Sequence, residues 1–187
     1  MNIIVKPHDK NSCYCRPDTT WERENRDFYV PESVDELHLA PIIFARISKA
    51  GKCIGDKFVD RYYDGFGFGL LIYCGDARET AFSSCYDHTS ILPHPLYNTV
   101  VLENEDNSFL LTADGPLNHE EKCGSPLKTL LQKAICKASE TVSLRIGDFV
   151  AAELAAPKPF ALRSDDRKTL VKGVFCENET IDFSIIF

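Results

Sequence analysis

The stretch LHLAPIIFARI, residues 37–47, constrains the fold more than any other part of this chain. It is apolar and β-rich, it holds one arginine, and it reads as a buried strand over residues 39–48. Pro41 sits within it, so the backbone there does not donate to a neighbour. KAGKCIG follows as a turn broken by Gly51 and Gly55, and Asp56 is placed as the N-cap of a short helix through KFVDRYY. FGFGLLIYC then reads as a strand whose Gly65, Gly67 and Gly69 imply close backbone approach or a bulge. NIIVK, TLVKGVFCE and TIDFSIIF are further strands, the last two joined by a short Asn-Glu turn. TVVLEN and SFLLTA alternate around EDNS and read as a hairpin.

Helical signals are fewer. DARETAFSSC fits a short helix with Asp76 at its start. SPLKTLLQKAICKASE is the clearest helix, with Ser125 as its cap and Pro126 at its first position. Leu127, Leu130, Leu131, Ala134, Ile135 and Ala138 form one apolar stripe along it, read as core. Residues 87–97 form a loop with two prolines. The balance predicts an α+β, β-dominated fold with a sandwich or roll and one main C-terminal helix.

The 187 residues favour a single domain able to bury a sizeable core, and 44% hydrophobic with 26% charged residues describe a globular chain. The net charge of -7, with basic residues scattered, argues against nucleic acid as a partner. No stretch approaches the roughly 20 apolar residues of a membrane helix, and Pro7 ends the only apolar run near the N-terminus. The expectation is a cytoplasmic protein with no membrane partner. None of the eight cysteines forms a C-x-x-C pair, so reduced thiols are expected rather than a zinc site. The Asn178-Glu179-Thr180 sequon carries little weight without secretion.

Several segments, in this order, resemble the fumarylacetoacetate hydrolase (FAH) family. YCRPDTT resembles that family's early Phe-x-Lys-Pro-x-Ser segment. LHLAPIIFARISKAGKCI resembles its Glu-x-Glu strand and following Gly-Lys turn. DKFVDRYYDGFGFGLLIYCGD resembles its helix and Gly-Ile-Asp-Phe-Thr-Ala-Arg-Asp strand. LLQKAICKASETVSLRIGDFV resembles its C-terminal helix and Leu-x-x-Gly-Asp turn. The resemblance covers most of the chain and is weakest over residues 98–123. It implies an FAH-like mixed β-sandwich roll over residues 1–187, with 1–30 a shortened N-terminal segment, and a dimer.

The resemblance also implies a chemistry. Two strand carboxylates at i and i+2 share a face and, with an aspartate from a nearby strand, hold Mg, Ca or Mn through oxygen. The metal polarises a dicarbonyl acid and stabilises its enolate. Carried onto this chain, the two glutamates fall on Ala40 and Ile42, and the aspartate falls on Leu71. The family's arginine falls on Gly75, with Asp76 kept. Its lysine falls on Ser84, with Tyr86-Asp87 kept. Its Gly-Thr-Pro turn falls on Glu153-Leu154-Ala155. The His-Glu lid has no counterpart in VKPHDKNS.

Alanine, isoleucine and leucine offer no lone pairs to a cation. The sequence therefore predicts no metal cofactor and no family catalytic residues, with Arg16, Asp76, Ser84 and Asp87 as a residual pocket. The expected role is a non-catalytic structural or binding protein. It would be a homodimer or the partner of an active relative, with a small carboxylate as a conceivable ligand. The alternative is a hydrolase, isomerase or decarboxylase on an acylpyruvate or another dicarbonyl acid, using an altered site.

Other candidates read more plainly as surface or structure. Cys85, Asp87 and His88 beside Ser83 and Ser84 are adjacent in sequence, which is not nucleophile–base geometry, and His88 reads as a surface loop residue. His8, His38 and His94 read as structural or solvated. Glu103, Glu105 and Asp106 read as a solvated hairpin tip, and Asp165-Asp166 as a similar run.

Overall fold

The computed structural model describes residues 1–75, 80–114, 117–165 and 168–187, with the backbone alone for residues 80, 81, 117 and 165. Among the described residues there are two sheets. The larger runs β2 (Tyr14–Arg16), β1 (Ile3–Lys6), β10 (Phe149–Glu153), β5 (Glu36–Ile47), β6 (Tyr63–Cys74), β7 (Ser90–Ile91), β3 (Trp21–Glu22), and β11 (Lys158–Leu162) also pairs with β5. The smaller runs β4 (Phe28–Tyr29), β13 (Asn178–Ile186), β12 (Thr169–Phe175), β8 (Ser108–Ala113), β9 (Leu117–Lys122). The helices are α1 (Thr80–Ser83), α2 (Thr99–Leu102) and α3 (Ser125–Thr141), and the last is the main one, as the sequence predicts. The β-dominated α+β expectation holds.

Strand alternation splits the larger sheet between two cores. Leu39, Ile43, Ala45, Phe66, Phe68, Leu70 and Ile72 face the smaller sheet and α3. There Phe68 stacks on Phe109 of β8 with ring centroids 4.7 Å apart. Ala40, Ile42, Phe44, Leu71 and Tyr73 face the other way, into a second apolar cluster with Ile3, Val5, Phe149 and Ala151. Pro41 lies where β5 changes neighbour: Ile42 pairs with Glu153 of β10, and Leu39 with Lys158 of β11. Its missing N–H falls at that junction, while its carbonyl accepts the Leu154 N–H at 2.8 Å.

The LRIGDFV segment ties the N-terminal strand to β10. Gly147 adopts φ 88°, which a glycine reaches without strain. Asp148 accepts the Asn2 and Arg145 N–H groups, each at 2.8 Å. This fixes β1 parallel to β10, with Ile3 opposite Phe149.

Four local expectations need correction. TVVLEN is not a strand: Thr99–Leu102 is helical because Asn98 caps it, accepting the Val100 N–H at 3.0 Å. The hairpin partner of SFLLTA is instead LNHEEK. Asp56 opens a 3-10 helix over Asp56–Arg61, but Gly55 holds the cap position and no side chain caps it. Gly124, rather than Ser125, holds the cap position of α3. The turn between β12 and β13 is Cys176-Glu177, both at positive φ as a two-residue hairpin requires, and not Asn-Glu.

Candidate functional site

The second face of the larger sheet is the place to look, because the metal-ligand positions implied by the resemblance converge there. Ala40 lies opposite Leu71 and Ile42 opposite Gly69 across the β5–β6 ladder. Ala40, Ile42 and Leu71 therefore share one face, and all three are 0% exposed. Room for large neighbours comes from the β6 glycines. A Cβ on Gly67 would sit 2.6 Å from Phe44 Cζ, and one on Gly69 would sit 2.3 Å from the Ile91 carbonyl. The absent side chains let the Phe44 ring lie across β6 and let β7 close against it.

Aromatic packing covers this face. Phe44 and Phe149 meet edge to face at 5.7 Å, and Trp21 packs on Phe149 at 5.3 Å. Trp21 donates its Nε1–H to the Leu92 carbonyl at 3.1 Å, which pins β3 over the cluster. Leu92 and Leu96, from the loop before α2, complete the cover. No group of three His, Cys, Asp or Glu able to hold a metal occurs among the described residues.

One end of the same face is polar. Tyr73 and Glu153 continue the alternation of β6 and β10, two residues beyond Leu71 and Ala151. Tyr73 donates its hydroxyl to Glu153 Oε1, the Tyr14 and Tyr73 hydroxyls meet at 2.5 Å, and Glu153 Oε2 accepts the His8 N–H at 2.9 Å. Burial is the main cause that raises the Glu153 pKa, offset in part by the Tyr73 hydrogen bond, the His8 N–H and the charge of Arg16. Burial likewise pushes the Tyr14 phenol to about 12.

Arg16 is 1% exposed. Its Nε donates to the Ser84 carbonyl at 2.9 Å, and its Nη2 to the Ile72 carbonyl at 2.7 Å and Thr89 Oγ1 at 3.0 Å. Its guanidinium lies 5.1 Å from the Tyr73 ring centroid, while Nη1 is buried without a hydrogen-bond partner among the described residues. A permanent cation is thus held near a buried carboxylic acid, with a tyrosine between them.

The expected residual pocket is only partly assembled. Arg16 and Ser84 come together, Asp87 is exposed on its loop, and Asp76 lies outside the described residues. His88 reaches Glu22 at 3.2 Å as an exposed loop residue, and His38 pairs with Glu36 at 3.0 Å. His8 pairs with Asp9 at 2.6 Å, and His94 packs edge-on to Trp21. Glu103 pairs with Lys128 at 2.6 Å, at the end of α2 rather than at a hairpin tip. The sequence reading gives Tyr14 and Tyr73 no role, and gives Glu153 none beyond the turn-plus-strand LRIGDFVAAEL and the counterpart of the family's Gly-Thr-Pro turn. An acid at the third inward position of Phe149-x-Ala151-x-Glu153 is the signal that marks the polar end.

No family model matches the sequence, and no curated protein matches it. Solved structures do match, over nearly all of the chain. Fumarylpyruvate hydrolase from Pseudomonas aeruginosa, solved with Mn2+ and pyruvate, superposes with a TM-score of 0.79 at 15% identity, covering 100% of this chain and 90% of that one. A 5-carboxymethyl-2-hydroxymuconate delta-isomerase from Mycobacterium smegmatis gives 0.77 at 12% identity, covering 99% and 78%. A protein from Yersinia pestis CO92 assigned to the fumarylacetoacetate hydrolase family gives 0.77 at 13%, covering 99% and 92%. This chain has the fold of fumarylacetoacetate hydrolase family proteins.

Proposed function

We propose that this chain is an FAH-family member that no longer holds the family's metal, and that it acts as a structural or binding protein rather than a catalyst. One observation carries the reading. The three positions implied as metal ligands do share a face, and that face is packed with Ala40, Ile42 and Leu71 under Phe44, Phe149 and Trp21. A hard divalent cation needs six or more oxygen ligands, and these side chains supply none. Stripping its water without replacement oxygens is prohibitive. The residues present do not fit the ion. In this role the chain would act in the cytoplasm, as a homodimer or beside an active relative.

Metal analysis of protein purified without chelator, followed by titration with Mn2+, tests the proposal. The expected content is far below one ion per chain. One ion per chain, with acylpyruvate turnover that a chelator abolishes, would overturn it.

A second reading rests on the polar end. Arg16 Nη1 lacks an acceptor among the described residues, and Glu153 is a buried acid within a Tyr73–Tyr14 hydrogen-bond chain. That pairing suits a dicarbonyl acid, with Arg16 taking the carboxylate and Glu153 moving a proton. Metal-independent turnover of an acylpyruvate or oxaloacetate, lost in folded Glu153→Gln, would favour this reading. No turnover of either substrate would count against it.

A further inference from the structure

A cavity lies on the opposite side of β5 from the filled face, where the space between the two sheets opens beside β9 and β11. It encloses about 150 Å³. Leu39 and Leu111 belong to the inter-sheet core and line it, and Phe160 supplies an aromatic wall. Ala155 and Ala156, in the link from β10 to β11, contribute only methyl groups, which leaves the space open. A cavity of about 150 Å³ with aliphatic and aromatic walls is large enough for a single benzene-sized ring.

The polar lining is one-sided in charge. Asn118 and His119 come from the edge strand β9, and Lys158 opens β11; no acid occurs among the described lining residues. His119 Nε2 is buried and makes no hydrogen bond. Glu121 Oε2 lies 3.4 Å from it, outside hydrogen-bond geometry, and Glu121 does not line the cavity. Lys158 Nζ has no ion-pair partner among the described residues. An exposed ammonium with no ion-pair partner among the described residues, at the mouth of one apolar hollow, is complementary to an anionic group carried on an apolar body.

We infer that this cavity is a binding site for a small aromatic monocarboxylate, its ring against Leu39, Leu111 and Phe160 and its carboxylate facing Lys158. The site stands apart from the filled face and does not depend on whether that face binds or catalyses anything.

Benzoate is the probe, added to the full chain at pH 7 and followed by amide NMR, with benzyl alcohol as the uncharged counterpart. Saturable shifts are expected at the His119, Lys158 and Phe160 amides, with benzyl alcohol and the Lys158→Met variant each weaker by about tenfold or more. Ala156→Phe, which fills the space from its edge, should abolish the shifts while the remaining spectrum keeps its dispersion. Three results would overturn the inference: no saturable shift with benzoate, equal binding in Lys158→Met, or shifts confined to Tyr14, Arg16 and Tyr73. The last would move the ligand to the polar end of the other face.

Discussion

Leu71 and Tyr73 stand two residues apart on β6 and point the same way, yet they belong to different kinds of interior. Around Leu71 the side chains are mostly apolar, with the buried Ser90 as its partner on β7, and packing dominates. Around Tyr73 the sheet buries a tyrosine pair, a carboxylic acid and an arginine, each of which must find partners. Apolar burial is indifferent to direction, whereas a buried polar network holds only in one arrangement. The titratable groups of this face lie at the Tyr73 end, and the Leu71 end is core packing.

Returning a carboxylate to the apolar end breaks this division most sharply. Ile42→Glu places a charge where the wild-type side chain is 0% exposed, and should cost about 4 kcal/mol or more in denaturant unfolding. Added Mn2+ should not rescue it, since Ala40 and Leu71 still offer no oxygen. Rescue by Mn2+ would mean that the site is poised for metal. Phe44→Ala should cost about 3–5 kcal/mol, because Phe149 and the glycines of β6 leave nothing to collapse into the gap.

At the polar end, pH is the sharper probe. Burial raises the Glu153 pKa above its ordinary 4.5, so the folded state keeps a proton that the unfolded state releases. Stability is then highest below the ordinary value and falls as pH rises towards the raised one. Glu153→Gln should flatten that part of the stability–pH curve; an unchanged curve would place the titration elsewhere. Tyr14→Phe removes the outer hydroxyl while Tyr73 keeps its bond to Glu153, and should cost about 1 kcal/mol. Least of all, Arg46→Ala loses an exposed pair with Asp64 at 3.0 Å and should change stability by less than about 0.5 kcal/mol.

The sequence was most informative where local pattern and burial agree. The apolar run of β5 and the glycines of β6 marked strands, and the stripe of α3 marked both a helix and the face it buries. It misled where local preference opposes context. Val100 and Val101 favour a strand, but Asn98 turns them into a helix. LNHEEK looks too polar for a strand because it pairs on one side only, as an edge strand with charged side chains. The polar end escaped for a different reason. Arg16, Tyr73 and Glu153 lie far apart in the chain, and only pairing of β1 with β2 and β10, and of β10 with β5 and β5 with β6, brings them together.

That pairing also has a consequence in time. β1 is flanked by β2 and by β10, whose first residue, Phe149, lies 146 positions beyond Ile3. The N-terminal strand can meet its parallel partner only when most of the chain has been synthesised. The β5–β6 pair and α3 can form beforehand from closer segments. Contacts at such separation slow folding. The roof of Tyr14 and Trp21 and the aromatic core beneath it should therefore be among the last parts to set, and a growing chain would present Ala40, Ile42 and Phe44 to solvent until they do.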